Sequence, residues 1–177
     1  PFYSHRFYGQ LATGNIHIEQ TAFQLGYRGY KYFGLDMFML QIEYNNVSKN
    51  MYQSPNSRLN YSGYNLPLAH IKGAGFQEFI VRSNYEWKKL YIDFKGIVYL
   101  LNDYNPLALL PVDKVNPHQT GGVTQCQIEL GFRINRKMNL NIFGTYQVRN
   151  ELLTVNDMTN LVFVGLRTGI INRYTDF

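Results

Sequence analysis

No stretch of this sequence approaches the roughly 18 consecutive apolar residues that a membrane-spanning helix needs, and no segment shows the apolar spacing of a good amphipathic helix. Within these residues neither a membrane-spanning helix nor an amphipathic helix is expected. Cysteine occurs once, as Cys126, so there is no internal disulfide and little information about compartment. Charge is sparse, at 16% of residues, and the net +5 is spread along the chain rather than gathered into a basic block. No nucleic-acid partner is expected from such a pattern. Catalytic signatures are missing as well. There is no Gly-x-Ser-x-Gly motif and no zinc-ligand spacing among His5, His17, His70 and His118. His5 beside Ser4, and His17 two residues from Glu19, form no recognisable set of nucleophile, base and orienting group. The chain is therefore expected not to be an enzyme, and to bind no metal or cofactor.

What is abundant is aromatic. Tyr at 15 and Phe at 12 are well above ordinary usage, and a transmembrane β protein uses such residues for its interfacial girdles. Strand-like segments run throughout. From Lys89 to Leu100, the positions Leu90, Ile92, Phe94, Gly96, Val98 and Leu100 form one apolar face against Lys89, Tyr91, Asp93, Lys95 and Tyr99. From Thr124 to Asn135, Cys126, Ile128, Leu130, Phe132 and Ile134 oppose Gln125, Gln127, Glu129, Gly131, Arg133 and Asn135. Asn139 to Arg149 repeats the pattern, and Gln20 to Arg28, Asp36 to Asn46 and Phe76 to Trp87 follow it more loosely. Phe2 to Gly9 and a final segment, Leu161 to Phe177, which ends on an aromatic residue, bring the expectation to roughly eight strands.

Alternation alone does not say which face is wet. The connections are more informative. Tight turns are expected near Tyr32-Phe-Gly34, Glu86-Trp-Lys88 and Arg136-Lys-Met138, and long loops over 48–75, 102–121 and 151–159. Strict alternation of tight and long connections places every long loop at one end of an up-and-down meander, the pattern of short periplasmic turns and longer external loops. The expected fold is all-β, an antiparallel up-and-down transmembrane β-barrel in the bacterial outer membrane, with residues 1–177 as a single barrel domain or the C-terminal segment of one. A start at Pro1, without Met or an apolar signal segment, is read as a mature form or a piece of something longer.

The polar faces carry Arg28, Gln41, Glu43, Glu78, Arg82, Lys89, Asp93, Lys95, Gln127, Glu129, Arg133, Arg149, Arg167 and Arg173, with both signs interspersed. They fit either a lumen filled by ion pairs and hydrogen bonds or an aromatic-flanked surface for a glycan, with Arg82 and Arg133 as candidate ligand contacts. In the first long loop, Met51 to Phe76, Tyr61, Tyr64, Asn65 and His70 are the candidate binding residues. The second long loop holds the apolar run Pro106-Leu-Ala-Leu-Leu-Pro111, which needs a cover or a partner.

The run Asn60-Tyr-Ser-Gly-Tyr-Asn-Leu-Pro-Leu-Ala-His70, with Gly73-Ala-Gly-Phe76 and Tyr85-Glu-Trp-Lys-Lys-Leu-Tyr91, resembles the capsule-assembly Wzi-type outer-membrane family, and within it the Bacteroidota gliding-motility RemB-like branch. The ending Gly165-Leu-Arg-Thr168 with Asn172-Arg-Tyr-Thr-Asp-Phe177 is similar to the same branch. Leu66 departs from it, standing where a polar residue is expected. The resemblance implies a barrel larger than these residues supply, which holds surface polysaccharide and serves gliding motility or an associated secretion assembly. It transfers no catalytic motif, and marks Asn65, Pro67, His70, Gly73 and Gly75 as binding or loop-shaping positions. Expected partners are outer-membrane lipid, surface polysaccharide and other outer-membrane proteins of a motility or secretion complex. The alternative is a structural accessory barrel that docks a larger outer-membrane complex through its long loops.

Overall fold

In the computed structural model, the chain is described over residues 4–14, 20–52, 62–63, 66–67, 73–105, 121–152 and 156–168. The strands are β1 (His5–Thr13), β2 (Thr21–Tyr30), β3 (Phe38–Val47), β4 (Ser62–Gly63), β5 (Leu66–Pro67), β6 (Ala74–Trp87), β7 (Leu90–Asn105), β8 (Gly121–Asn135), β9 (Leu140–Leu152) and β10 (Asn156–Arg167). Eight of them form one antiparallel sheet in the order β1-β2-β3-β6-β7-β8-β9-β10, and β4 and β5 make a separate two-stranded ribbon. The architecture is an up-and-down all-β meander. It is an open sheet: β1 and β10 each pair on one side only.

The three expected tight turns are present, as a 3₁₀ turn over Tyr32–Gly34, a two-residue link at Lys88 and Lys89, and a turn over 136–139. The last two strands correct the sequence reading. The connection expected over 151–159 shrinks to 153–155, because Leu152, Glu151, Asn150 and Arg149 pair with Asn156, Asp157, Met158 and Thr159. The final strand accordingly starts at Asn156 rather than Leu161, and is described as far as Arg167. These residues are polar on both faces, so alternation did not mark them as strand. Residues 169–177, with Arg173 and the terminal Phe177, lie outside the described residues, as do 106–120 of the second long loop.

Period-two alternation, carried through the register, segregates the sheet completely. Every Asp, Glu, Lys and Arg at a paired position of the eight long strands falls on one face, and none falls on the other. The apolar face is the exposed one: Leu11 is 73% exposed, Leu130 57% and Val164 78%, whereas Glu78 and Glu129 on the polar face are 3% and 5% exposed. The sheet is curled around its polar side, since Arg28 of β2 and Arg167 of β10 line one cavity although five strands separate them in the sheet order. At the end that carries the long loops, Ala22, Val47, Phe76 and Leu101 form a cross-strand row that, with Met51, Ala74 and Val123, makes a small apolar core on this inner side.

Three inner glycines sit directly opposite aromatic rings: Gly26 opposite Tyr8, Gly131 opposite Tyr91, and Gly165 opposite Phe143. A Cβ at Gly26 or Gly131 would overlap the tyrosine ring. The missing side chain lets the ring lie flat on the neighbouring strand, so that Tyr8 donates to Glu43 at 2.7 Å and Tyr91 to Glu129 at 3.0 Å. Gly131→Val is therefore expected to lower stability by about 1–3 kcal/mol through overpacking, read from the urea midpoint of the refolded protein. An unchanged midpoint would mean that the Tyr91 ring does not rest on this glycine.

Candidate functional site

The inner face is organised in cross-strand rows. Nearest the apolar core runs Gln10, Gln24, Asn45, Glu78 and Tyr99; beyond it lies Tyr8, Gly26, Glu43, Ile80 and Ile97. Carboxylates here are saturated by their neighbours. Glu43 accepts from Tyr8, from Gln24 at 2.7 Å and from Asn45 at 3.0 Å, and Asn45 also donates to Glu78 at 2.7 Å. On the same face, nearer the tight-turn end, Glu129 of β8 accepts two bonds from Arg167, at 2.9 and 3.1 Å, and one each from Thr145 and Tyr91 at 3.0 Å. Arg167 reaches across β9 to do so, and its guanidinium lies 4.4 Å from the Phe143 ring centre. Asn84 donates to Asp93 at 2.5 Å.

Between these acidic networks runs a row of different character: Arg6, Arg28, Gln41, Arg82, Lys95, Gln127 and Gln147 follow one another across β1, β2, β3, β6, β7, β8 and β9. It contains no carboxylate. Arg6 stands opposite Arg28, and Arg82 opposite Lys95, although like charges directly opposite each other destabilise a sheet. Arg28, Gln41, Arg82, Lys95 and Gln127 line a cavity of about 460 Å³, whose wall also carries Asp93, Glu129 and Arg167.

Of the residues singled out from the sequence, Arg82 belongs to this row and faces the cavity. Arg133 does not; it is spent on a two-bond pair with Glu86, at 3.0 and 3.1 Å, which ties β8 to β6. Tyr61, Tyr64, Asn65 and His70 lie outside the described residues. Pro67 lies in β5, and Gly73 and Gly75 have φ of 75° and 77°, the left-handed region that glycine reaches freely and that a loop entering a strand exploits here. Lys89 is a turn residue, 5.8 Å from the Phe132 ring centre rather than on the polar face. His5 is on the apolar face, with Nδ1 2.7 Å from the Tyr27 hydroxyl and its ring against those of Tyr27 and Tyr32. Among the described residues, no group of three metal-ligating side chains comes together.

Sequence reasoning missed Arg6 and the rows themselves. Its segment, Phe2 to Gly9, has the alternation, but only the pairing of Arg6 with Arg28 shows that it extends a line of cations.

No protein-family model matches the chain, and comparisons with curated proteins and with solved structures find no match.

Proposed function

We propose that this sheet is a sector of a bacterial outer-membrane β-barrel that is not an enzyme, and whose polar inner wall contacts surface polysaccharide. The observation that carries the membrane part is the segregation of faces: all paired strand charges inside, exposed Leu, Ile, Val and Phe outside. A sheet in water has no reason to turn its large apolar residues outward and bury its carboxylates. In lipid the same arrangement is the stable one. The outward apolar positions of β7, from Leu90 to Leu100, span ~33 Å along the strand, or ~25 Å after a barrel's tilt, the height of an outer-membrane apolar band. An aromatic chain from Phe7 through Tyr27, Tyr32 and Phe38 to Tyr85 borders the tight-turn end of that face. Trp87 continues this border, with the Lys88 ammonium 5.1 Å from its ring centre, the pairing of amphipathic ring and snorkelling cation found at a membrane interface. In hydrocarbon the open edges of β1 and β10 pair with each other or with further strands, since unpaired backbone groups are not tolerated there. The polysaccharide, capsule-assembly and surface-motility part of the reading is supported by the Wzi-type resemblance alone.

Trp87 is the one tryptophan, so its fluorescence reports this position without labelling. On refolding into phospholipid vesicles, its emission is expected to shift to the blue and to be quenched most strongly by bromines placed high on the acyl chain. Emission of a water-exposed indole, indifferent to brominated lipid, would sink the membrane reading.

A further inference from the structure

We infer that the row from Arg6 to Gln147 is a binding site for an acidic glycan, a sugar chain bearing carboxylates in series. The inference rests on the polysaccharide reading above and names its substrate class and its place on the inner wall. Two independent features point to an anionic ligand. The first is like-charge apposition: Arg6 opposite Arg28 and Arg82 opposite Lys95 place cations side by side where an ordinary lumen alternates signs. The second is that the carboxylates in reach are already engaged. Glu43 is filled by Tyr8, Gln24 and Asn45, Glu129 by Arg167, Thr145 and Tyr91, and Asp93 is held by Asn84. Among the described residues, Arg6, Arg82 and Lys95 take no ion pair, while Arg133, Arg149 and Arg167 each do. The arginines around the row are thus held in ion pairs, whereas Asp93 and Glu129, which share the cavity wall with Arg82 and Lys95, are bonded to other groups.

The remaining members decide between ligand classes. Gln127 and Gln147 extend the cations, and Gln41 stands between Arg28 and Arg82 with its amide nitrogen donating to Tyr8 at 3.0 Å. Amides donate to and accept from hydroxyls, whereas a site for phosphate alone gains more from further cations. Arg offers a planar fork to a carboxylate and Lys a point charge. From β1 to β7 the cations span four inter-strand steps, ~19 Å, which suits an extended chain rather than a small ion. The 460 Å³ cavity beside Arg82 and Lys95 carries Arg28, Gln41 and Gln127 of the same row on its wall.

The test is binding of oligogalacturonate, a neutral malto-oligosaccharide and inorganic tripolyphosphate to the refolded 177-residue chain, wild type and the variants Arg82→Gln and Lys95→Gln. Oligogalacturonate is expected to bind, to weaken with salt, and to lose about tenfold in affinity in each variant, the worth of one charge-assisted contact. The unfolding midpoint should hold or rise in both, because each removes one member of a like-charge pair. That opposition, weaker binding with undiminished stability, is not produced by a cation with a purely structural role. Neutral sugar binding as well as the uronate, untouched by Arg82→Gln, would overturn this inference and leave the polysaccharide reading standing. Tripolyphosphate matching the uronate would overturn the glycan assignment. Binding of no glycan of either charge would remove both, and unfolding of both variants would show that the row is structural.

Discussion

Arg167→Ala is expected to lower the stability of the sheet by about 3 kcal/mol, the low end of the range for stranding a buried charge. Glu129 is 7% exposed in its side chain, whereas the Arg167 side chain is 51% exposed. The asymmetry sets the sign and size of the effect. With Arg167 removed, the Glu129 carboxylate stays buried with only the Tyr91 and Thr145 hydroxyls to hold it. With Glu129→Gln, the half-exposed guanidinium is solvated, the amide retains a carbonyl for the hydroxyls, and the loss should be about 1 kcal/mol. Urea titrations of the two single variants and the double variant measure both terms and their coupling. Because Arg167 stands at the end of β10 and reaches over β9, its loss should also free that edge strand first, as faster amide exchange in β10 than in β8. If Glu129→Gln proved more damaging than Arg167→Ala, the carboxylate would be a better-solvated group than its burial indicates.

The parts of this molecule that were legible in the sequence are those decided locally. Alternation in Leu90–Leu100 and Cys126–Ile134 is a property of consecutive residues, and both segments became strands with the apolar set on one face. The tight turns follow from the same local signals. The link between β9 and β10 was misplaced for a reason specific to sheets with a polar side. Glu151, Asp157 and Thr159 are inner-wall residues, and beside the polar Asn150, Asn156 and Asn160 they leave no apolar rhythm to detect. The site was legible only as a list. Arg82 and Arg133 look equivalent in the sequence, yet Arg133 finds Glu86, 47 residues away, and Arg82 finds Lys95. Which arginine is paired and which is left to a ligand is a matter of register, and register depends on how distant strands align.

The sharpest separation between a membrane wall and a water-soluble sheet comes from placing one charge on each face. Ile128 sits midway along the outward positions of β8, between Phe94 and Tyr146, and is 42% exposed. In water, Ile128→Arg would be an ordinary surface change, worth within ±0.5 kcal/mol and favourable to solubility. In lipid the same guanidinium lies near the bilayer midplane and should cost about 2–4 kcal/mol, enough to abolish most productive insertion. Gln147→Arg, on the inner wall between Gln127 and Leu161, adds the same charge to a polar surface and should cost less than about 1 kcal/mol in either setting. Refolding yield into vesicles, scored by protease protection, compares the two directly. A yield lost in Ile128→Arg and kept in Gln147→Arg requires lipid against the apolar face. Equal yields would mean that this face meets water or protein instead, because neither of those would reject an arginine at an exposed isoleucine while accepting one beside a buried acidic network.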